Sequence, residues 1–118
     1  MANWITAALL AALAIANVSG TWTGTLSPEG RDPSPAHLVL QQDGETVTGT
    51  AGATEQGERF VIRNGTARDG VVTFEVQTQG GDLMKFDLKA QGDELTGTIT
   101  REHDGEQQRA TLAVKRVK

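Results

Sequence analysis

Cysteine and tyrosine are both absent from this 118-residue chain, and histidine occurs only twice. Without cysteine there is neither a disulfide framework nor a thiolate zinc site. Aromatic residues are scarce, at 4%, so a surface platform for stacking sugars or nucleobases has little to draw on. Positive charge is also in short supply. Eleven Lys and Arg stand against 15 Asp and Glu, and the net charge of −4 argues against nucleic acid as a partner. The one basic cluster is Lys115, Arg116 and Lys118 at the C-terminal end. Past residue 16 there is no long apolar run and no helical periodicity, which excludes folds built from βαβ units.

Residues 1–16 differ from everything that follows. They carry no charge, and Ile5 to Leu13 is apolar on every face except at Thr6. The run is shorter than the ~20 residues that cross a bilayer. It ends in Ala14-Ile15-Ala16 before the polar Asn17, the small-x-small pattern of a signal-peptide cleavage site, although no Lys or Arg follows Met1. We therefore expect an exported protein, periplasmic or secreted, cut after Ala16. The alternative is a retained helix from about Asn3 to Ala16, since Ala and Leu are strong helix formers. A retained helix would need an apolar cover: a membrane, a barrel opening or a second copy of the chain. The domain proper is then 17–118.

From Asn17 onward apolar and polar residues alternate, with glycine-containing turns every eight to twelve residues. The pattern predicts about eight antiparallel strands, near 18–26, 36–43, 46–53, 58–64, 66–77, 83–90, 94–101 and 107–117. Asp43-Gly44, Gln91-Gly92-Asp93, Asp69-Gly70 and Asp104-Gly105 read as hairpin turns. Ser27 to Pro35 is the one long loop and belongs at a barrel mouth. The apolar parity faces inward and the Thr, Gln, Lys and acidic parity faces water, so the sheet has one wet face. Closure into an up-and-down barrel disposes of its edges.

Apolar-Thr-Gly-Thr occurs three times, at Trp22 to Thr25, Val47 to Thr50 and Leu95 to Thr98. Gly24, Gly49 and Gly97 share the inward parity. They predict bends whose missing side chains point at the core, so that valine at 49 or 97 would overpack the interior. The second and third units belong to a longer echo at constant offset. It pairs Leu38 with Phe86, Leu40 with Leu88 and Gly44 with Gly92, and suggests two four-strand halves.

Gly20-Thr21-Trp22 at the start of the first strand resembles the Gly-x-Trp mark of the calycins, the lipocalin, fatty-acid-binding and avidin barrels. That resemblance implies a basic side chain from the last strand lying over the tryptophan: Arg116, or alternatively Lys115. The chain departs from the lipocalin pattern in its first loop, and the tyrosine-dependent biotin set of avidin cannot be built from it. The span 18–117 is also similar to a group of small exported β-barrel domains of environmental bacteria, for which no function is known. They share a Gly-x-Trp-x-Gly start, a Gln-Asp-Gly-x-x-Val-Thr-Gly-Thr hairpin, an Asn-Gly step and a Val-x-Phe strand. Here these are Gly20 to Gly24, Gln42 to Thr50, Asn64-Gly65 and Val72 to Phe74.

Side chains placed for chemistry are few. His37 falls on the outward parity of its strand and His103 in the polar turn Glu102 to Glu106, so neither predicts a metal site. Ser19, Ser27 and Ser34 lack a histidine and an acid at triad spacing. Every Asp and Glu reads as turn or outer surface. We expect no enzyme, no catalytic residue and no cofactor. Two classes remain: a binding module whose barrel takes an apolar small molecule, or a structural and interaction domain with a filled core that assembles through its N-terminal helix. The first makes Trp22, Leu40, Phe60, Phe74, Met84 and Phe86 the candidate lining residues.

Overall fold

Alternation gives each strand one apolar face, and eight such faces bury one another only if the sheet curls round to meet itself. A computed structural model of the chain shows that closure. It describes residues 17–117, so the signal-peptide and helix expectations for residues 1–16 lie outside the described residues. The strands are β1 (Gly20–Pro28), β2 (Ser34–Asp43), β3 (Thr46–Gly52), β4 (Arg59–Arg68), β5 (Val71–Gln77), β6 (Leu83–Gln91), β7 (Glu94–His103) and β8 (Glu106–Arg116). Each pairs antiparallel with the next, and β8 returns to β1 with Trp22 opposite Arg116 and Leu26 opposite Leu112. The fold is all-β, an up-and-down closed barrel of eight strands.

Several strand boundaries differ from the sequence reading: β1 runs on to Pro28 and β2 begins at Ser34, both inside the residues read as one long loop. The residues read as strands 58–64 and 66–77 divide instead after Arg68, because Asn64-Gly65 is a bulge inside β4 and not a break. Val47 faces Gly65 while Thr50 faces Val61, so β4 holds one residue more than its partner. Asn64 takes the extra position at φ 53°, a conformation Asn tolerates better than most residues. The chain reverses at Asp69-Gly70, both at positive φ, as it does at Asp104-Gly105. In the β2–β3 hairpin the turn lies one residue later than expected, while in β6–β7 it falls within Gln91-Gly92-Asp93 as expected. Gly44-Glu45 and Gly92-Asp93 are the central pairs, with positive φ only at the glycine, the arrangement in which glycine leads the turn.

The internal echo extends to register. Leu40 faces Gly49 in the β2–β3 hairpin just as Leu88 faces Gly97 in β6–β7, and Leu38 faces Ala51 as Phe86 faces Ile99. The glycines keep the inward parity but act differently from expectation. A Cβ on Gly24, Gly49 or Gly97 would meet the carbonyl oxygen of Ala113, Val39 or Asp87 at 2.0, 1.8 and 2.1 Å. What the absent side chain leaves room for is the backbone of the neighbouring strand and not the barrel interior. Tight coiling presses adjacent strands together at these points.

The core includes Trp22, Leu38, Leu40, Val47, Phe74, Leu88, Leu95 and Val114. Each large side chain fully removed from water contributes roughly 1.5–3 kcal/mol. His37 departs from the reading of a solvated outer residue: it keeps the outward parity, opposite Thr23 and Gly52, yet is only 7% exposed. It shares an outer groove with Thr21, Thr54 and Glu55, where the β3–β4 loop passes.

Candidate functional site

The two ends of the barrel are built differently. At one end lie the β2–β3, β4–β5 and β6–β7 turns and both ends of the described chain. Here Val18, 2% exposed, closes the barrel like a stopper. Its amide donates to Gln42 Oε1 at 2.9 Å, and the Gln42 amide donates to Ser19 Oγ at 2.9 Å. Trp22 is fully buried beneath, with its indole Nε1 donating to Val18 O at 3.0 Å. The Arg116 guanidinium lies 4.5 Å above the indole ring. It donates to the Ser19 and Asn17 carbonyls and, at 3.0 Å, to Asp93 Oδ1. Lys115 turns outward instead, with Nζ 3.8 Å from Glu94. One cation thus ties the entering strand to the leaving one and covers the ring, a contact of about 1 kcal/mol or more when desolvated.

The other end is open. Its rim is made by the β1–β2, β3–β4 and β5–β6 loops and the turn at Asp104-Gly105. Below the rim the inward positions of β2 and β3 are small, namely Ser34, Ala36 and Ala51, where the closed end has leucines and valines. The deficit leaves an apolar cup of about 180 Å3. Phe60, Met84 and Phe86 line it, with Leu26, Val76, Ile99 and Leu112. The candidate lining set therefore separates by height. Phe60, Met84 and Phe86 come together in the cup. Trp22 and Leu40 belong to the packed closed half, and Phe74 lies behind the cup wall, stacked on Phe86 with ring centroids 4.4 Å apart.

Above the cup the interior becomes polar. Leu26, Met84 and Ile99 continue into a vestibule of about 360 Å3 whose other walls include Glu29, Arg31, Arg101, Gln108 and Arg109. Asp82 Oδ2 sits 3.3 Å from Arg101 Nε and 2.9 Å from His103 Nδ1. The sequence reading missed Arg101 and Asp82, and it took His103 for a plain turn residue. Parity held the signal: Ile99, Arg101 and His103 share one face of β7, and Met84 faces Arg101 across the ladder. Ile99 is the last apolar inward residue of β7, and the inward positions beyond it are charged or polar. Among the described residues, no group of three or more His, Asp or Glu side chains converges in a metal-ligand arrangement.

One further ion pair lies away from the cup. Arg68 grips Glu45 with two hydrogen bonds of 2.7 and 3.1 Å. These bonds, and then the charge of Arg68, hold the Glu45 carboxyl below the ordinary glutamate range. Both groups are open to solvent, so this is surface electrostatics and not part of a site. Compared with known proteins, the chain matches no family model and no curated sequence at a significant level.

Proposed function

We propose that this domain is an exported, non-catalytic binding module that takes a small apolar group into the open cup. The cup itself carries the reading: an apolar recess with a wet rim, at one end of a barrel whose other end is packed solid. Its size sets the ligand class. An engineered apolar cavity of about 150 Å3 admits benzene, so the cup suits a single ring or a short alkyl chain. Export rests on the apolar run Ile5 to Leu13 and the Ala14-Ile15-Ala16 pattern. The kinship with calycins is part of the same proposal and rests on Gly20-Thr21-Trp22; that with small exported barrels rests also on Gln42 to Thr50, Asn64-Gly65 and Val72 to Phe74.

A second reading, a structural or interaction domain, is favoured by one observation: the cup is smaller than the roughly 300–1,000 Å3 of most small-molecule sites. Titration with 1-octanol, followed on the Met84 methyl resonance, separates the two. The binding reading expects a saturable shift at Met84 that Ala51→Leu weakens by about tenfold or more, because leucine fills the cup. A Met84 signal that stays put up to the solubility limit would leave the structural reading. Intact-mass analysis of protein from the native cell envelope tests export, expecting a chain that starts at Asn17.

A further inference from the structure

We infer that the outer groove beside His37 is a binding site for a neutral saccharide of one or two rings. It lies outside the barrel wall, so it goes beyond the cup and stands or falls separately from it. Thr21 and Thr23 of β1 and Pro35 and His37 of β2 hold the outward parity and form its floor, with His37 opposite Thr23 in the ladder. Val117 bounds it on the β8 side, and Ala53 and Glu55 of the β3–β4 loop bound it on the β3 side. The groove holds about 590 Å3. That lies within the roughly 300–1,000 Å3 of small-molecule sites and is about four times the cavity that admits benzene.

His37 distinguishes this groove from an ordinary wet surface. The ring is 7% exposed, although its strand turns it away from the core. Across the ladder on the other side, Gly52 has no side chain to bond it. Among the described residues neither ring nitrogen has a protein partner, and neither is sealed, since Arg101 Nε is the one buried side-chain nitrogen or oxygen left without a partner. The imidazole is thus nine-tenths covered, with its polar atoms open to the groove. A polar group stripped of most of its water without a hydrogen bond in return is costly, and a ligand hydroxyl removes that cost.

The other polar groups select the class of ligand. The Thr21 and Thr23 hydroxyls and the Glu55 carboxylate also have no side-chain partner among the described residues. Arg59 donates to the Glu55 carbonyl and not to its carboxylate, and Thr54 Oγ1 accepts from the Gly57 amide. No Lys or Arg lines the groove, and Lys115, opposite Thr23, has its Nζ 3.8 Å from Glu94. An anion would therefore meet Glu55 with no cation beside it. One histidine and one carboxylate fall short of the three or four ligands of a metal site. A vicinal diol fits: its two hydroxyls donate to the two carboxylate oxygens, and a neutral imidazole offers a further donor and acceptor. Pro35, Ala53 and Val117 supply apolar surface for the C–H face of a sugar ring, so no aromatic platform is needed.

The experiment follows the ring resonances of the two histidines by NMR while glucose, galactose, N-acetylglucosamine, maltose or lactose is added. At least one sugar should shift His37 saturably, with a dissociation constant on the order of 1 mM, while His103 and the Met84 methyl stay put. By calorimetry, Glu55→Ala should weaken that sugar about tenfold and Thr23→Val about fivefold, the ratios one charged and one neutral hydrogen bond support. Both residues are exposed, so the barrel keeps its core in either variant. Lys89→Gln, on the outer face of β6, should change nothing. If no sugar moves His37 at ~100 mM, a hundredfold above that constant, the site is overturned. A drift shared by His103 marks a bulk effect and overturns it as well, as does an affinity that survives both variants. A response of His37 to zinc chloride but to no sugar would make the groove a cation site and overturn the saccharide assignment. None of these outcomes touches the cup, which 1-octanol tests separately at Met84.

Discussion

Replacing Gly97 with alanine adds one carbon to a barrel that has no space for it. The new Cβ would lie 2.1 Å from the Asp87 carbonyl oxygen and 2.7 Å from Leu88 Cα, where contacts below 3.0 Å are essentially never seen. The obstacle is backbone, so no rotamer change relieves it, and β6 must withdraw from β7. A retreat of roughly 1 Å takes ladder hydrogen bonds out of their usual range of about 2.7–3.2 Å. Losing one or two of them at about 1 kcal/mol each, with overpacking strain of about 1–3 kcal/mol, gives a destabilisation of about 2–5 kcal/mol. That is a large part of the 5–15 kcal/mol typical of a domain. Gly97 lies outside the positive-φ region, so the loss is steric and is not confounded by backbone strain. Urea denaturation followed by circular dichroism measures it, with Gly80→Ala as the reference. Gly80 has no atom within 4 Å of an added Cβ and should change stability by less than about 0.5 kcal/mol. Equal midpoints for the two variants would refute the view that glycine permits close strand approach here.

Arg116→Met should cost about 2–4 kcal/mol in the same assay, through lost carbonyl and carboxylate hydrogen bonds and the uncovered Trp22 ring. Lys115→Met should cost less than about 0.5 kcal/mol, since its pairing with Glu94 is exposed, and similar losses for the two would dissolve the distinction between them. Glu45 offers a test by pH. An NMR titration of its side-chain carboxyl should give a midpoint below the ordinary glutamate range, and Arg68→Gln should raise it. Because the folded value is depressed, the contribution of the pair is present above the unfolded pKa and fades as pH falls through the folded one. An unchanged midpoint in Arg68→Gln would remove the assigned cause.

Strand number, order of hairpins and inward parity were legible in the chain because period-two alternation and Asp-Gly or Gly-Asp turns are local properties. The β4 bulge was not. Asn64-Gly65 carries the same turn chemistry as a hairpin, and only pairing with β3 and β5 distinguishes a bulge from a reversal. Parity separates inside from outside but is silent about height along the barrel axis. Height decides that Phe60, Met84 and Phe86 line an opening while Trp22 and Leu40 are packed. Which end closes depends on Val18 and on Arg116, which reaches the carbonyls on either side of Val18, at Asn17 and Ser19, only in the closed barrel. Arg101 and Asp82 escaped for a different reason: a charged residue beyond the last apolar position of a strand looks like surface until the barrel wall surrounds it. His37 likewise shares its groove with the β3–β4 loop, a neighbour that its own strand does not reveal.

The most direct test of the account is a crystal structure of the domain under xenon pressure. Xenon enters apolar cavities that water leaves empty and asks nothing of the vestibule. The account predicts an anomalous-scattering peak bounded by Phe60, Met84, Phe86 and Leu112, abolished in Ala51→Leu. A barrel with no peak at that position, or with xenon bound only elsewhere, would contradict it.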